Sequence, residues 1–595
     1  LVFQKYSFFI SLHQNNMKRC LILLCLLVGL SSVSGQPLLT VTFPALGDTI
    51  SFDRVRFAGH THPGAQMRVQ GRSTYVYSNG AFVGRTDLCE GWNRLVFTAT
   101  LENVSVSDTV RIYRPYEAPS LEPTPSRIDT TRIEPAQHVW VQPDDELELL
   151  LTASPHGKAA YSIESKRLSG KLIPGQHHSS QSYRTLLSIN NNWKPGTFGI
   201  DYTFRGKDGM IHTATAPGLV TVTRPGDRLV GRVIDECTLL NDWRSRDPLT
   251  RLEPGIQLEI NGRFGEYFRV YLDDNTFGFI HQKHFRYIHK RNSDRPAHLG
   301  PPLIRQSDEW LILQYSISES LPWLSWQRDR WIEIDLFGAI RQGEWITYPN
   351  RDVDIEHIRW RQLNDRRLRL ELEMRYPPSW GYKIEYRNDR LEIRIRRSPF
   401  RGSPEAPLNG LIIAVDAGHG GEQEGAMGAM GIPEKQINLD IARQVESRLE
   451  HLGASVVMTR QTDQDVELAD RVAMARQHKA HIFLSLHNNS VGAAGNPLAA
   501  KGAGVFFYQP FAKPLAWAIY PHLIRLGMSP YGRIQNSFYV LRPTDMVSVL
   551  IECAFLSHPG DEMRLLQSGF DSQLAEAIAR GVVDFVENRN AEPRF

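Results

Sequence analysis

Four side chains able to do chemistry stand near points where apolar runs stop. Residues 411–421 read L-I-I-A-V-D-A-G-H-G-G, five apolar residues followed by Asp416 and a glycine turn carrying His419. Residues 480–490 read A-H-I-F-L-S-L-H-N-N-S, with His487 closing the run 482–486. Residues 547–559 read V-S-V-L-I-E-C-A-F-L-S-H-P, and Glu552 ends that run. Such runs read as strands buried on both faces, and in open α/β sheets ligands gather beyond the carboxyl ends of strands. The fourth residue, Glu434, opens a stretch over 434–452 in which Ile437, Ile441, Val445 and Leu449 recur every fourth position, one face of a helix.

Singly, some of these have ordinary explanations. A His after a strand is commonly a loop residue, and a Glu in a first helical turn is favoured by the helix dipole. A carboxylate directly after a buried strand, by contrast, is costly to desolvate without a partner. Together the four suit one site. Two imidazoles and one carboxylate, with water as the fourth ligand, form a catalytic zinc arrangement. The remaining carboxylate would exchange protons with that water. Cys553 beside Glu552 reads as a small buried residue rather than a nucleophile. From the residues alone, the chemistry is metal-assisted hydrolysis.

Strands near 411–416, 455–459, 482–486, 503–508, 537–541 and 547–551 alternate with helices near 434–452, 465–479, 513–527 and 571–588. That is an α/β pattern with a mostly parallel sheet. Pro433 and the glycines before it suit entry into the first helix.

At these residues the chain resembles the zinc-dependent N-acetylmuramoyl-L-alanine amidases of the amidase 3 type. The resemblance covers about 409–588 in family order. It is carried by V-D-A-G-H-G-G at 415–421, by Gly425, Gly428 and Gly431 leading to Glu434, and by Thr459-Arg460-x-x-Asp463. Leu468, Arg471, S-L-H-N-N at 485–489, Val540-Leu541-Arg542, Val549-Leu550-Ile551-Glu552 and Phe555-Leu556-Ser557 complete it. The resemblance implies that His419, Glu434 and His487 bind Zn2+ and that Glu552 is the catalytic carboxylate. It implies cleavage of the amide between the lactyl group of N-acetylmuramic acid and the L-alanine of the stem peptide. Val547 stands where the family has Pro, and His558 where it has Asn. Division-type members carry a longer insertion over the zinc where 509–535 holds one helix, which implies an open site here. A zinc peptidase of the stem peptide and a non-catalytic wall-anchoring protein are the alternatives; the intact His and Glu pairs oppose the second.

The 595 residues suffice for several domains, and 41% hydrophobic with 22% charged residues is a globular composition. A net charge of +3 lacks the basic stripe of a dedicated nucleic-acid binder. The expected partner is peptidoglycan, with no nucleic acid; no protein regulator is legible. Met17-Lys18-Arg19 before the apolar run 20–30 reads as a secretory signal over 17–35, too short to span a membrane, and residues 1–16 precede the pattern and stand outside the fold reading. The mature chain is expected without a membrane span, exported across the inner membrane to the periplasm or cell envelope. Cys89, Cys237 and Cys553 are an odd, scattered set, no disulfide framework.

The fold class expected is multidomain: several N-terminal all-β modules, then a C-terminal α/β domain over 409–590. Residues 37–114, with turns at His62-Pro63-Gly64, Asn79-Gly80 and Glu90-Gly91, resemble bacterial immunoglobulin-like modules. His60 and His62 are read there as a polar turn, not a metal pair. Residues 130–225 read as a second β module. Residues 228–288 resemble bacterial SH3-like domains, with aromatics that line a peptide groove or fill a small barrel. Residues 303–398 resemble AMIN modules and alternate at Ile332/Ile334/Leu336, Leu368/Leu370/Leu372 and Leu391/Ile393/Ile395. Asn388-Asp389 is a hairpin-type turn. The arginines at 366, 367, 369, 394, 396 and 397 are read as a solvated face, with anionic wall polymers as the alternative. Residues 115–125 and 290–302 are linkers.

Overall fold

The computed structural model describes residues 39–115, 121–175, 181–288, 296–343, 345–348, 353–377, 380–399 and 402–590. The expected signal at 17–35 lies outside the described residues. Among the described residues, no helix is long and apolar enough to cross a membrane, and Cys89, Cys237 and Cys553 are free thiols.

Mostly antiparallel strands build the chain as far as residue 396. The first unit is a sandwich. One sheet holds Leu39–Phe43, Arg54–Thr61 and Ala81–Asp87; the other holds Gln66–Val69, Arg72–Thr74, Gly91–Leu101 and Val104–Arg114. Their inward side chains, Val55, Phe57, Phe82, Leu95, Phe97 and Ile112, form one core. The next segment is less self-contained than its composition suggests. Its strands Val139–Val141 and Val220–Val222 pair with each other, and Val139 and Trp140 pair onto Gln257–Phe264. The sheet of the second module therefore runs into that of the third.

Residues 302–396 form two four-stranded sheets whose alternating apolar residues are inward. Asn388 and Asp389 both have positive φ, as a two-residue hairpin loop requires. The arginines are not a solvated face. Arg367 and Arg369 both pair with Asp335, which is fully buried, and Arg366 crosses to Glu259 of the third unit. Arg394 and Arg397 pair with Glu392 and Asp354, and Arg396 is buried over the Trp310 ring. These cations fasten the modules to themselves and to one another, which an alternating pattern cannot reveal.

The C-terminal domain comprises β1 (Ile412–Ala417), α1 (Glu434–His451), β2 (Ser455–Met458), α2 (Leu468–Gln477), β3 (Ile482–Asn489), β4 (Ala503–Phe507), α3 (Lys513–Arg525), β5 (Pro530–Gln535), β6 (Val547–Phe555), α4 (Pro559–Leu565) and α5 (Phe570–Asn590). The sheet order is β2-β1-β3-β6-β4-β5. It is a mixed sheet: β6 and β4 are antiparallel, and the other neighbouring pairs are parallel. The expected strand at 537–541 is instead a single 3-10 turn, Tyr539–Leu541, whose Val540 and Leu541 are buried. A short apolar run fits either form. Of the two edge strands, β2 and β5, β5 has no buried residue and lacks the apolar run that marks the others. Helix α4 also escaped the periodicity, being seven residues long. His558 caps it, its Nδ1 accepting from the Asp561 N–H at 3.3 Å, the role an Asn would fill. The Val547 N–H donates to the His481 carbonyl at 2.9 Å, a bond no proline could make.

The apolar core of this domain continues into residues 297–395 without a break. Trp380 packs on Phe585 at 5.4 Å between ring centroids, and Tyr382 on Phe511 at 6.3 Å.

Candidate metal centre

Parallel pairing brings the strand ends to one edge. Asp416 and Ala417 of β1 lie opposite Ser485 and Leu486 of β3, and His487 lies opposite Glu552 of β6. Beyond β1 the chain turns at His419, which has φ +61°, and a glycine-rich loop returns it to Glu434 at the start of α1. His419, Glu434 and His487 each place one ligand atom within 4.8 Å of the others. His487 Nδ1 is 2.9 Å from Glu434 Oε1, and His419 Nε2 is 3.3 Å from Oε2. Side-chain exposures of 29% for His419 and 20% for His487 leave the imidazole side open to solvent, while Glu434 is buried.

The backbone holds Glu434 as firmly as the histidines do. The N–H of Asn488 donates to Oε1 at 3.1 Å and that of Ala426 to Oε2 at 2.9 Å. Asn438, one turn along α1, donates to Oε1 at 3.2 Å and to the Gly418 carbonyl at 3.1 Å, and it accepts from Asn488 Nδ2 at 2.9 Å. Burial pushes the Glu434 carboxyl up, but the hydrogen bonds from His419 and His487 outweigh it and hold the group far below the usual carboxylate range. Burial would lower the His487 imidazole; the hydrogen bond and charge of Glu434, backed by Glu552 and Asp416, raise it instead. The fit leaves no room for side chains nearby. A Cβ on Gly418 would meet the His487 ring at 2.3 Å, and one on Gly425 would meet Glu434 Oε2 at 2.6 Å.

Beneath the triad lies a buried polar scaffold. Asp416, 1% exposed, accepts from Arg471 Nη1, Thr459 Oγ1 and Ser485 Oγ, each at 2.7 Å. Arg471 also donates to the carbonyls of Ala417 and His419 at 2.8 and 2.9 Å. Arg460 donates to the carbonyls of Ala417, Gly418 and Lys435. Asp463 takes the Gly421 N–H at 2.8 Å and Lys435 Nζ at 2.8 Å. The motif positions 459, 460, 463, 471 and 485 thus fix the loop that carries His419. Asn438 was missed by sequence reasoning; its only signal is a polar residue one turn after Glu434 in an otherwise amphipathic helix.

Glu552 stands in register beside His487, and its buried Oε2 has no hydrogen-bond partner. Burial pushes its carboxyl up to about 7, with His487 opposing the rise and Glu434 adding to it. A cluster of two imidazoles and one ionised carboxylate beside an orphaned carboxyl oxygen is a donor set that fits a divalent cation such as zinc. A cleft of about 430 Å³ between the third unit, the 302–396 sheets and this domain contains none of the four residues.

The family model for N-acetylmuramoyl-L-alanine amidase (Amidase_3) matches residues 413–584. The chain belongs to the N-acetylmuramoyl-L-alanine amidase family. Over 184 residues the amidase domain is 36% identical to N-acetylmuramoyl-L-alanine amidase LytC of Bacillus subtilis, covering 30% of this chain and 36% of that relative. It is 33% identical over 186 residues to the uncharacterised protein YqiI of Bacillus subtilis, covering 30% of this chain and 87% of that protein. Among solved structures, N-acetylmuramoyl-L-alanine amidase AmiC2 of Nostoc punctiforme is 35% identical, covering 30% of this chain and 97% of its own, with a TM-score of 0.29. The match with LytC thus spans about a third of that relative's length.

Proposed function

We propose that this chain is a secreted peptidoglycan hydrolase that cleaves the amide between the lactyl group of N-acetylmuramic acid and the L-alanine of the stem peptide. The observation that carries the proposal is the convergence of His419, Glu434 and His487 beside the unpartnered carboxyl of Glu552, in a domain of the amidase family. His419, Glu434 and His487 would hold Zn2+. When bound, that ion supplies Lewis acidity, polarising the scissile carbonyl and making water a nucleophile near neutral pH. Asn438, Asn488 and the Ala426 N–H keep the Glu434 carboxylate ionised and aimed. Glu552 takes the proton of the attacking water as the C–O bond forms and delivers it to the stem-peptide nitrogen as the C–N bond breaks. Its raised pKa places both halves of that transfer within reach at neutral pH.

The layout belongs to the same proposal: an immunoglobulin-like module over 37–114, a second β module over 130–225, an SH3-like barrel over 228–288, an AMIN-like domain over 303–398 and the amidase domain over 409–590. The front modules would hold the wall polymer, and the signal at 17–35 would direct the chain to the periplasm or cell envelope. Mass spectrometry of digested muropeptides tests the reaction. Stem peptides released with a free alanine amine support the amidase; truncated stems identify a peptidase; an unchanged digest identifies a non-catalytic wall anchor.

A further inference from the structure

One outer face of the first sandwich is built to be covered. Along the strand Arg54–Thr61 the core takes Val55 and Phe57, so Arg56, Ala58 and His60 point the other way. Across the sheet Ala58 and His60 lie opposite Val83 and Ala81. A sheet face left in water carries polar residues at such positions. Here Ala58, Ala81 and Val83 are apolar and 2%, 0% and 7% exposed. They pack with Ala429, itself 3% exposed, and with Met430 of the amidase domain.

Polar contacts fix the same junction. His60 Nδ1 lies 3.0 Å from the Ala429 carbonyl, and Thr42 Oγ1 donates to that carbonyl at 3.5 Å. The N–H of Arg56 donates to the Ala493 carbonyl at 2.7 Å, and Ala493 packs against the sandwich core. The Arg56 guanidinium is buried over the Phe43 ring at 4.0 Å, and burial lowers its pKa to about 10.

Ala429 lies in the loop between His419 and Glu434, and Ala493 in the loop that follows the strand of His487. Ala429 precedes Glu434 by five residues, and Ala493 follows His487 by six. Five residues of chain reach at most about 18 Å. The loop at 425–433 is rich in glycine and has little stiffness of its own. On its other side it rests on the buried carboxyl of Glu562, which accepts from the Met430 N–H at 2.9 Å. The loop is therefore gripped between α4 and the sandwich.

We propose that the first sandwich is a positioning element of the metal centre. By holding Ala429 and Ala493 it fixes the loops that set Glu434 against His487, so the metal affinity of the amidase domain depends on a module whose His60 lies 369 residues from Ala429 in sequence. The proposal rests on the zinc reading only for its affinity readout; its exchange readout does not.

The test uses the full chain. Ala58→Glu puts a charge into the covered face at a position pointing away from the sandwich core. Ser105→Glu, on an exposed strand of the other sheet, is the control. Hydrogen exchange is read over 425–433 and 490–499, and zinc affinity by competition with a chromophoric chelator. In Ala58→Glu both loops should exchange faster and the zinc Kd should rise about 10-fold, the scale of one lost docking contact; Ser105→Glu should change neither. His60→Ala adds no charge to the face, removes the imidazole with its hydrogen bond to Ala429, and should shift both readouts the same way by less. Loop exchange and zinc affinity at unaltered values in both variants overturn the proposal. An unaltered chain that binds no zinc fails the zinc reading instead, and the exchange measurement still decides this one.

Discussion

Asp416→Asn removes a charge from the most deeply buried ion pair of the scaffold while keeping its shape. Asp416 and Arg471 have side-chain exposures of 2% and 3% at 2.7 Å. Burial pushes the Asp416 carboxyl up, but Arg471, Ser485 and Thr459 outweigh it and hold the group below its usual range. Its contribution is therefore full at neutral pH and is lost only as pH falls through the depressed folded value. The Asn variant leaves Arg471 buried without a countercharge, which costs about 3–5 kcal/mol. At about 1.4 kcal/mol per decade, amides in β1 and β3 should exchange at least 10²-fold faster, measured by hydrogen exchange with mass spectrometry. The double variant Asp416→Leu with Arg471→Met removes both charges and should recover part of that protection, the remainder being lost because Thr459 Oγ1, Ser485 Oγ and the carbonyls of Val466 and His419 lose these partners. It should not recover zinc affinity, because the His419 carbonyl has lost its bond from Arg471 Nη2. Unchanged exchange in Asp416→Asn would refute the energy assigned to the pair. Full zinc affinity in the double variant would refute the positioning of His419 by Arg471.

Gly425 has φ +72°, and a Cβ there meets Glu434 Oε2 at 2.6 Å and His419 Cδ2 at 2.7 Å; Gly425→Ala should lose zinc in elemental analysis while costing only about 1–2 kcal/mol in unfolding. Burial pushes the fully buried Glu562 carboxyl up to about 7. Stability is therefore lost progressively as pH rises from the ordinary carboxyl value of 4.5 to about 7 and is level above it, so Glu562→Gln should flatten the decline between pH 4.5 and 7 seen in urea titrations; a decline of the same slope in the variant would contradict this. A fragment starting at residue 402 exposes the surface that Trp380 and Tyr382 cover on Phe585 and Phe511. It should melt below a fragment starting at residue 297, and equal midpoints would show that the shared core contributes nothing.

The grouping of His419, Glu434, His487 and Glu552 was legible because apolar runs lead into both histidines and Glu552 and four-residue spacing follows Glu434; the runs did not show that β3 and β6 continue past His487 and Glu552 to Asn489 and Phe555. The edge strand β5 was not legible, because its exposed residues form no apolar run; the run at 537–541 was misread because one buried turn and one short strand look alike in sequence. Asn438 gave too faint a signal, one amide on a helix, although it links Glu434, Gly418 and Asn488. The roles of the arginines at 366, 367 and 369 depend on Asp335 and Glu259, distant partners that only the packed fold brings near. The covered face of Ala58, Ala81 and Val83 reads as an ordinary strand pattern until its partner loop is in view.

The most direct test of the proposed centre is zinc content measured beside amide hydrolysis in two variants. Glu434→Ala reduces three protein ligands to two and should lose zinc and activity together. Glu552→Gln keeps the triad, so zinc content should stay at that of the unaltered chain while turnover falls by about 10²–10⁴-fold, as expected for a lost general base. Zinc retained by Glu434→Ala and lost by Glu552→Gln would contradict the assignment and exchange the roles of the two glutamates.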